Sequence, residues 1–193
     1  MKNICVFCAS SMGSNSVYKE SAYQLGKIFA DQKIRLIYGG GNVGLMGVIA
    51  DSVLENGGEV YGVIPDLLIK KEVGHPNLTK LFVVETMHER KTKMFELSDG
   101  IIALPGGFGT LEELTEVLTW AQLGMHKKPI GILNINGYYS KLLDLLDHMV
   151  SEKLLKKENR KMLLVSENPM ELLEIIENYN APFTDKWLDK KHS

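Results

Sequence analysis

With only two cysteines in 193 residues, the chain has neither a disulfide framework nor the four thiolates of a structural zinc site. Cys5 and Cys8 lie inside the apolar run NICVFC rather than at the opening of a helix, so they read as buried, reduced thiols, a usage that favours the cytoplasm. Excess charge is also lacking. A formal net charge of −2 supplies no general attraction to nucleic acid or to an anionic membrane, and any anion site must therefore be local. The amino-terminal stretch MKNICVFCAS is too short to span a bilayer, leads to no convincing cleavage site and reads as a first strand. GxxxxGK[ST] is missing, which argues against a P-loop nucleotidase. HExxH is missing as well, and none of the five histidines has a paired ligand spacing, so neither a metal nor a cofactor is expected. With no linker, repeat or low-complexity tract, residues 1–193 are expected to form a single domain with a short frayed tail from about 182.

What the chain does have is alternation. Short runs rich in Ile, Val and Leu at 3–8, 34–38, 59–64, 81–84, 100–104, 129–135 and 162–165 are separated by segments of helical period near 16–32, 44–56, 86–98, 110–124, 138–155 and 169–178. Apolar strands of this kind are buried on both faces, which predicts an α/β fold: a Rossmann-like, doubly wound, mainly parallel sheet of about seven strands with helices on both faces. In such a sheet, ligands bind beyond the carboxyl ends of the strands. Four loops are candidates there: ASSMGS, GGGNVGLMG, PDLLIKKEVGH and PGGFGT.

PGGFGT, after the 100–104 run, ends a strand at Leu104 with a proline that cannot extend the ladder. It then places Gly106, Gly107 and Gly109 before a helix start. Glycines allow close backbone approach, and a helix amino terminus offers unpaired N–H groups with partial positive charge, so a phosphate fits. The same residues also read as a capping box, Thr110 accepting from the Glu113 amide and Glu113 reaching back to Thr110. That explains Thr110 and Glu113 but not three glycines.

The second glycine loop matches the dinucleotide fingerprint at Gly39, Gly41 and Gly44, but a lone match is weak, and Asp66 sits poorly for the acidic partner that an NAD site requires. In ETMHERKTKM, residues Met87, Arg90, Lys91 and Met94 recur at helical spacings, so one face mixes methionine with two cations. That face is either a core stripe with solvated edges or a cleft wall in which Arg90 holds a phosphate or ribose.

Together, FCASSMG, YGGGNVGLMG, MHERKTKM and PGGFGTLEE resemble the LOG family of cytokinin riboside 5′-monophosphate phosphoribohydrolases, formerly labelled lysine decarboxylases. The resemblance runs from about residue 3 to 155. It implies a Rossmann-like fold, usually a homodimer, and hydrolysis of the N-glycosidic bond of an adenosine-type 5′-monophosphate to free base and ribose 5-phosphate. It places the catalytic pair on Arg90 and Glu113. Substrate contacts fall on Glu72, Arg90, Lys91, Gly106, Gly107, Gly109, Thr110 and Glu112, with Ser10, Ser11, Gly40 and Gly41 lining the same pocket; on the cleft-wall reading of the 87–94 face, apolar Met87 joins them as a contact for the base. One position departs from the pattern: CASS stands where the family has CGSS, putting Ala9 in place of a glycine. The decarboxylase label needs a pyridoxal-phosphate lysine, which nothing in the sequence singles out. The rival reading is a non-catalytic nucleotide-binding module, which needs the glycines but has no use for Arg90 and Glu113 jointly.

Overall fold

The computed structural model describes residues 1–69 and 74–182. Seven strands form one sheet in the order β4-β3-β2-β1-β5-β6-β7, and all six pairings are parallel. They are β1 Asn3–Phe7, β2 Arg35–Tyr38, β3 Val60–Pro65, β4 Lys80–Val84, β5 Gly100–Ala103, β6 Ile130–Leu133 and β7 Leu163–Ser166. The order reverses between β1 and β5, so the crevice at the switch point opens between their carboxyl ends.

Alternation along β1 shows why the core has two halves. Ile4, Val6 and Cys8 face one cluster, with Leu25, Phe29, Leu36 and Ile49, while Cys5 and Phe7 face another, with Ile37, Met94, Ile101 and Leu114. Burying each such Leu, Ile or Phe is worth roughly 1.5–3 kcal/mol, so a strand apolar on both faces is held from both sides. The same alternation puts the two thiols on opposite faces of the sheet. Both are free and buried, and burial pushes their pKa values well up, so they stay protonated and inert.

The first face is covered by helices α1 Ser16–Asp31, α2 Gly44–Glu55 and, from the chain's end, α8 Pro169–Glu177. A single turn, α3 Asp66–Ile69, follows β3, and helices α4 Met87–Leu97, α5 Phe108–Gln122 and α6 Ser140–Ser151 cover the second face. The short α7 Lys157–Arg160, which sequence reading missed, leads into β7. Among the described residues, no helix is long and apolar enough to cross a membrane.

Where α5 begins differs from the sequence expectation. The helix starts at Phe108 with Gly107 as its N-cap, two residues before Thr110, and no side chain caps it. Glu113 therefore lies in the second turn, out of reach of the Thr110 amide, and the expected capping box is not formed. Glycine is an acceptable N-cap because it takes the extended conformation freely, so the chain does not wait for a threonine. A capped start does exist at α4: Thr86 accepts from the Glu89 amide at 3.1 Å, and the Glu89 carboxylate takes the Glu85 amide at 2.9 Å.

Candidate active site

A cleft of 390 Å³ sits at the switch point, walled by the loop after β1, the amino-terminal turns of α4 and α5, and Leu68. Its floor is electrostatically active because α5 begins there without a side-chain cap. The amides of Phe108, Gly109 and Thr110 precede the first intrahelical bond, in which the Leu111 amide donates to Gly107 at 3.1 Å, and no acidic residue lies in the first turn. The turn is held in this shape from behind. Tyr139 Oη donates to the Leu104 carbonyl at 2.6 Å, Tyr138 Oη to the Gly106 carbonyl at 2.7 Å, and the Ala9 amide to the Pro105 carbonyl at 3.3 Å. With the loop's carbonyls engaged, its amides are left for a ligand. A methyl on Gly106 would collide with Thr110 Oγ1, whereas Gly107 and Gly109 face open space, where nothing in the protein requires a glycine.

Arg90 and Glu113 meet across this cleft. Arg90 Nη1 lies 3.3 Å from Glu113 Oε1, and Arg90 Nε donates to the Val63 carbonyl at 3.3 Å. Both side chains are nearly buried, at 12% and 11% exposed, yet both line the cleft. Burial raises the Glu113 pKa above the ordinary carboxyl value, while the Arg90 charge pulls it part of the way back. The result is a carboxylate with a cationic partner, beside an open helix amino terminus.

Lys91, next along α4, turns away from the cleft. Its ammonium binds the Glu112 carboxylate and that of Glu116, the latter at 3.0 Å, which ties α4 to α5. Burial lowers its pKa, but the hydrogen bonds to Glu112 and Glu116 together with the charges of those two carboxylates hold it above the ordinary lysine value. The four residues at helical spacing thus divide: Met87 and Arg90 line the cleft, Lys91 serves the α4–α5 link, and Met94 is core. Glu112 is spent on Lys91 and lies outside the cleft wall. This pairing also explains how two glutamates can stand near an anion site: each carboxylate already faces a cation.

Ser10, Ser11, Met87, Gly107, Gly109, Thr110, Arg90 and Glu113 therefore come together around one cleft, and Gly106 lies buried directly behind it. Gly40 and Gly41 do not line it. Both are buried, with the Gly40 carbonyl accepting from the His75 amide at 3.1 Å and Gly41 bridging to Gly74. Gly44 has φ +58° and a backbone so close to Ser10 and Ser11 that a Cβ would overlap them. Its place in the fingerprint reflects contact between two loops of the protein rather than room for a dinucleotide. Ala9 has no positive φ, so the alanine fits where the family has glycine. Glu72 lies outside the described residues. Sequence reasoning missed Tyr138, Tyr139 and the Val63 carbonyl, all of which act on the site from elements distant in sequence. Among the described residues, no group of three or more His, Cys, Asp or Glu is arranged to hold a metal ion.

Fold and site together define a doubly wound α/β protein with an uncapped helix amino terminus and an arginine–glutamate pair facing one cleft at the switch point. A family model described as "Possible lysine decarboxylase" matches residues 46–176. The cytokinin riboside 5′-monophosphate phosphoribohydrolase LOG7 of Arabidopsis thaliana is 45% identical over 184 residues, covering 95% of this chain and 85% of that protein. A probable enzyme of the same name, LOGL6 of Oryza sativa subsp. japonica, is 46% identical over 98% of this chain and 75% of its own length. The chain belongs to the LOG family. Among solved structures, that of TM1055 matches with a TM-score of 0.71 and 23% identity, covering 93% of this chain and all of that one. The molybdenum cofactor binding protein of Rippkaea orientalis matches with a TM-score of 0.66 and 22% identity over 92% of this chain and 96% of that one. These two show the shared fold.

Proposed function

We propose that the protein hydrolyses the N-glycosidic bond of adenosine-type nucleoside 5′-monophosphates, AMP or its N6-substituted relatives, to free base and ribose 5-phosphate. The observation that carries this reading is the Arg90–Glu113 pair, 3.3 Å apart at the edge of an uncapped helix amino terminus. The 5′-phosphate rests on the amides of Phe108, Gly109 and Thr110, as anions do at helix starts. Bond breaking builds positive charge at the anomeric carbon, which the Glu113 carboxylate stabilises. Glu113 also takes a proton from the attacking water, whose oxygen bonds to C1′, and the proton is returned to the leaving base. Arg90 positions the nucleotide and its charge draws the Glu113 pKa down against the larger effect of burial. Met87 and Leu68 offer apolar surface for the base.

The decarboxylase description of the family model finds no support in the cleft, since no lysine lines it among the described residues. A single-domain cytoplasmic homodimer is part of the same proposal, supported by the resemblance and by the free thiols; sedimentation would return twice the 21.6 kDa chain mass. The functional test is incubation with AMP, GMP, CMP and an N6-alkyl AMP, followed by chromatography of the bases. Release of base from the adenine nucleotides supports hydrolysis. Tight binding with no base released from any of the four leaves a nucleotide-binding module.

A further inference from the structure

Gly39 follows β2 and opens the glycine loop, whose members Gly40, Gly41 and Gly44 are engaged by protein contacts, and it does not line the cleft. A Cβ built on it would sit 1.9 Å from Arg90 Nη2 and 3.0 Å from Arg90 Cζ, with Met46 Sδ at 3.4 Å. Its φ is not positive, so nothing in the local backbone asks for glycine. The requirement comes from the arginine. We propose that Gly39 is a positioning residue for the reaction: its bare Cα is the seat against which the Arg90 guanidinium rests, fixing how deep the cation lies. Three constraints then define the guanidinium. Val63 holds Nε at 3.3 Å, Glu113 holds Nη1 at 3.3 Å, and Gly39 stops Nη2 from behind. The remaining N–H groups of Nη1 and Nη2 are left for the ligand. Any side chain at position 39 displaces the guanidinium and takes it out of register with both partners. The glycine that formally begins a dinucleotide fingerprint thus serves the arginine and not a pyrophosphate.

This inference rests on the hydrolase reading for its consequence in turnover but not for its steric basis, so the two are tested separately. The variants are Gly39→Ala, Arg90→Ala and the double variant, each examined for thermal midpoint and for AMP affinity by calorimetry, with adenine release measured for wild type and Gly39→Ala. Gly39→Ala in the native background is expected to lower the midpoint and to cut kcat by about 100-fold with a smaller change in KM, as an ångström-scale displacement of a positioning group does. In the Arg90→Ala background the same substitution is expected to change neither midpoint nor AMP affinity, because the group it collides with has been removed. A Gly39→Ala chain that cannot fold while the double variant folds supports the assignment equally. Equal losses in both backgrounds, a double variant that also fails to fold, or Gly39→Ala with native kcat would overturn it. Absence of base release by the wild type would count against the hydrolase reading alone and leave the thermal coupling as the test of Gly39.

Discussion

Replacing Glu113 with glutamine alters the site by little more than one charge. The side chain keeps its volume in a nearly closed environment and retains an oxygen for Arg90 Nη1, so the fold has no steric reason to change. What it loses is the carboxylate facing the anomeric carbon. General acid–base catalysis is typically worth about 10²–10⁴-fold, so the barrier should rise by about 3–5 kcal/mol. Stability should change far less. The buried guanidinium loses its counter-charge but keeps the Val63 carbonyl, and a weakened hydrogen bond to a charged group costs about 1–2 kcal/mol. For a chain of this length that corresponds to about 2–8 °C in thermal midpoint. The assay is adenine release from AMP under single-turnover and steady-state conditions, with calorimetric unfolding of the same preparation. Native turnover in Glu113→Gln, with the midpoint inside that range, would refute the assignment of Glu113 to the chemistry.

Further outcomes follow from the same geometry. Burial lifts the Glu113 carboxyl above its ordinary 4.5, with Arg90 opposing, so the group ionises later in the folded chain than in the unfolded one. Its protonated form therefore contributes stability below pH 4.5 that is lost as pH rises through the folded pKa, while activity, which needs the carboxylate, rises over that same interval. A pH–rate limb at or below 4.5 would contradict this. Gly109→Ala meets open space in a helix and should raise stability by about 0.4–1 kcal/mol. It nevertheless places a methyl where the phosphate sits, and losing one charge-assisted hydrogen bond, about 1.5–3 kcal/mol, should raise the KM for AMP by about 10- to 100-fold; an unchanged KM would remove the phosphate from that turn. Tyr139→Phe strips the buried Leu104 carbonyl of its 2.6 Å partner and should cost about 1–3 kcal/mol in denaturant unfolding, an unchanged midpoint showing that the tyrosine does not brace the loop.

The sheet was legible because its strands are apolar on both faces, a pattern that short Ile- and Val-rich runs such as ICVF and GIIA carry without help from distant residues. Arg90 and Glu113 were paired by the family resemblance, since spacing alone marked Glu113 only as a capping residue, and the fold brings the two within 3.3 Å although 23 residues separate them. The helix start was misjudged because T-x-x-E marks a possible cap, while a glycine N-cap, which takes the extended conformation freely, leaves no side-chain signal. The glycine loop at 39–44 was ambiguous for a related reason. Glycine reports that something comes close to the backbone, but not whether that is a ligand, an arginine or another loop. Tyr139 carried no signal at all, since its partner Leu104 is 35 positions away.

The central claim is that this cleft breaks a ribosyl–base bond with water. It is tested most directly by incubating the purified protein with AMP in buffer free of phosphate and of any other ribosyl acceptor, and following adenine and ribose 5-phosphate together. The account predicts equal amounts of the two products, formed with water alone as the acceptor. AMP returned intact from a protein that binds it would contradict the account.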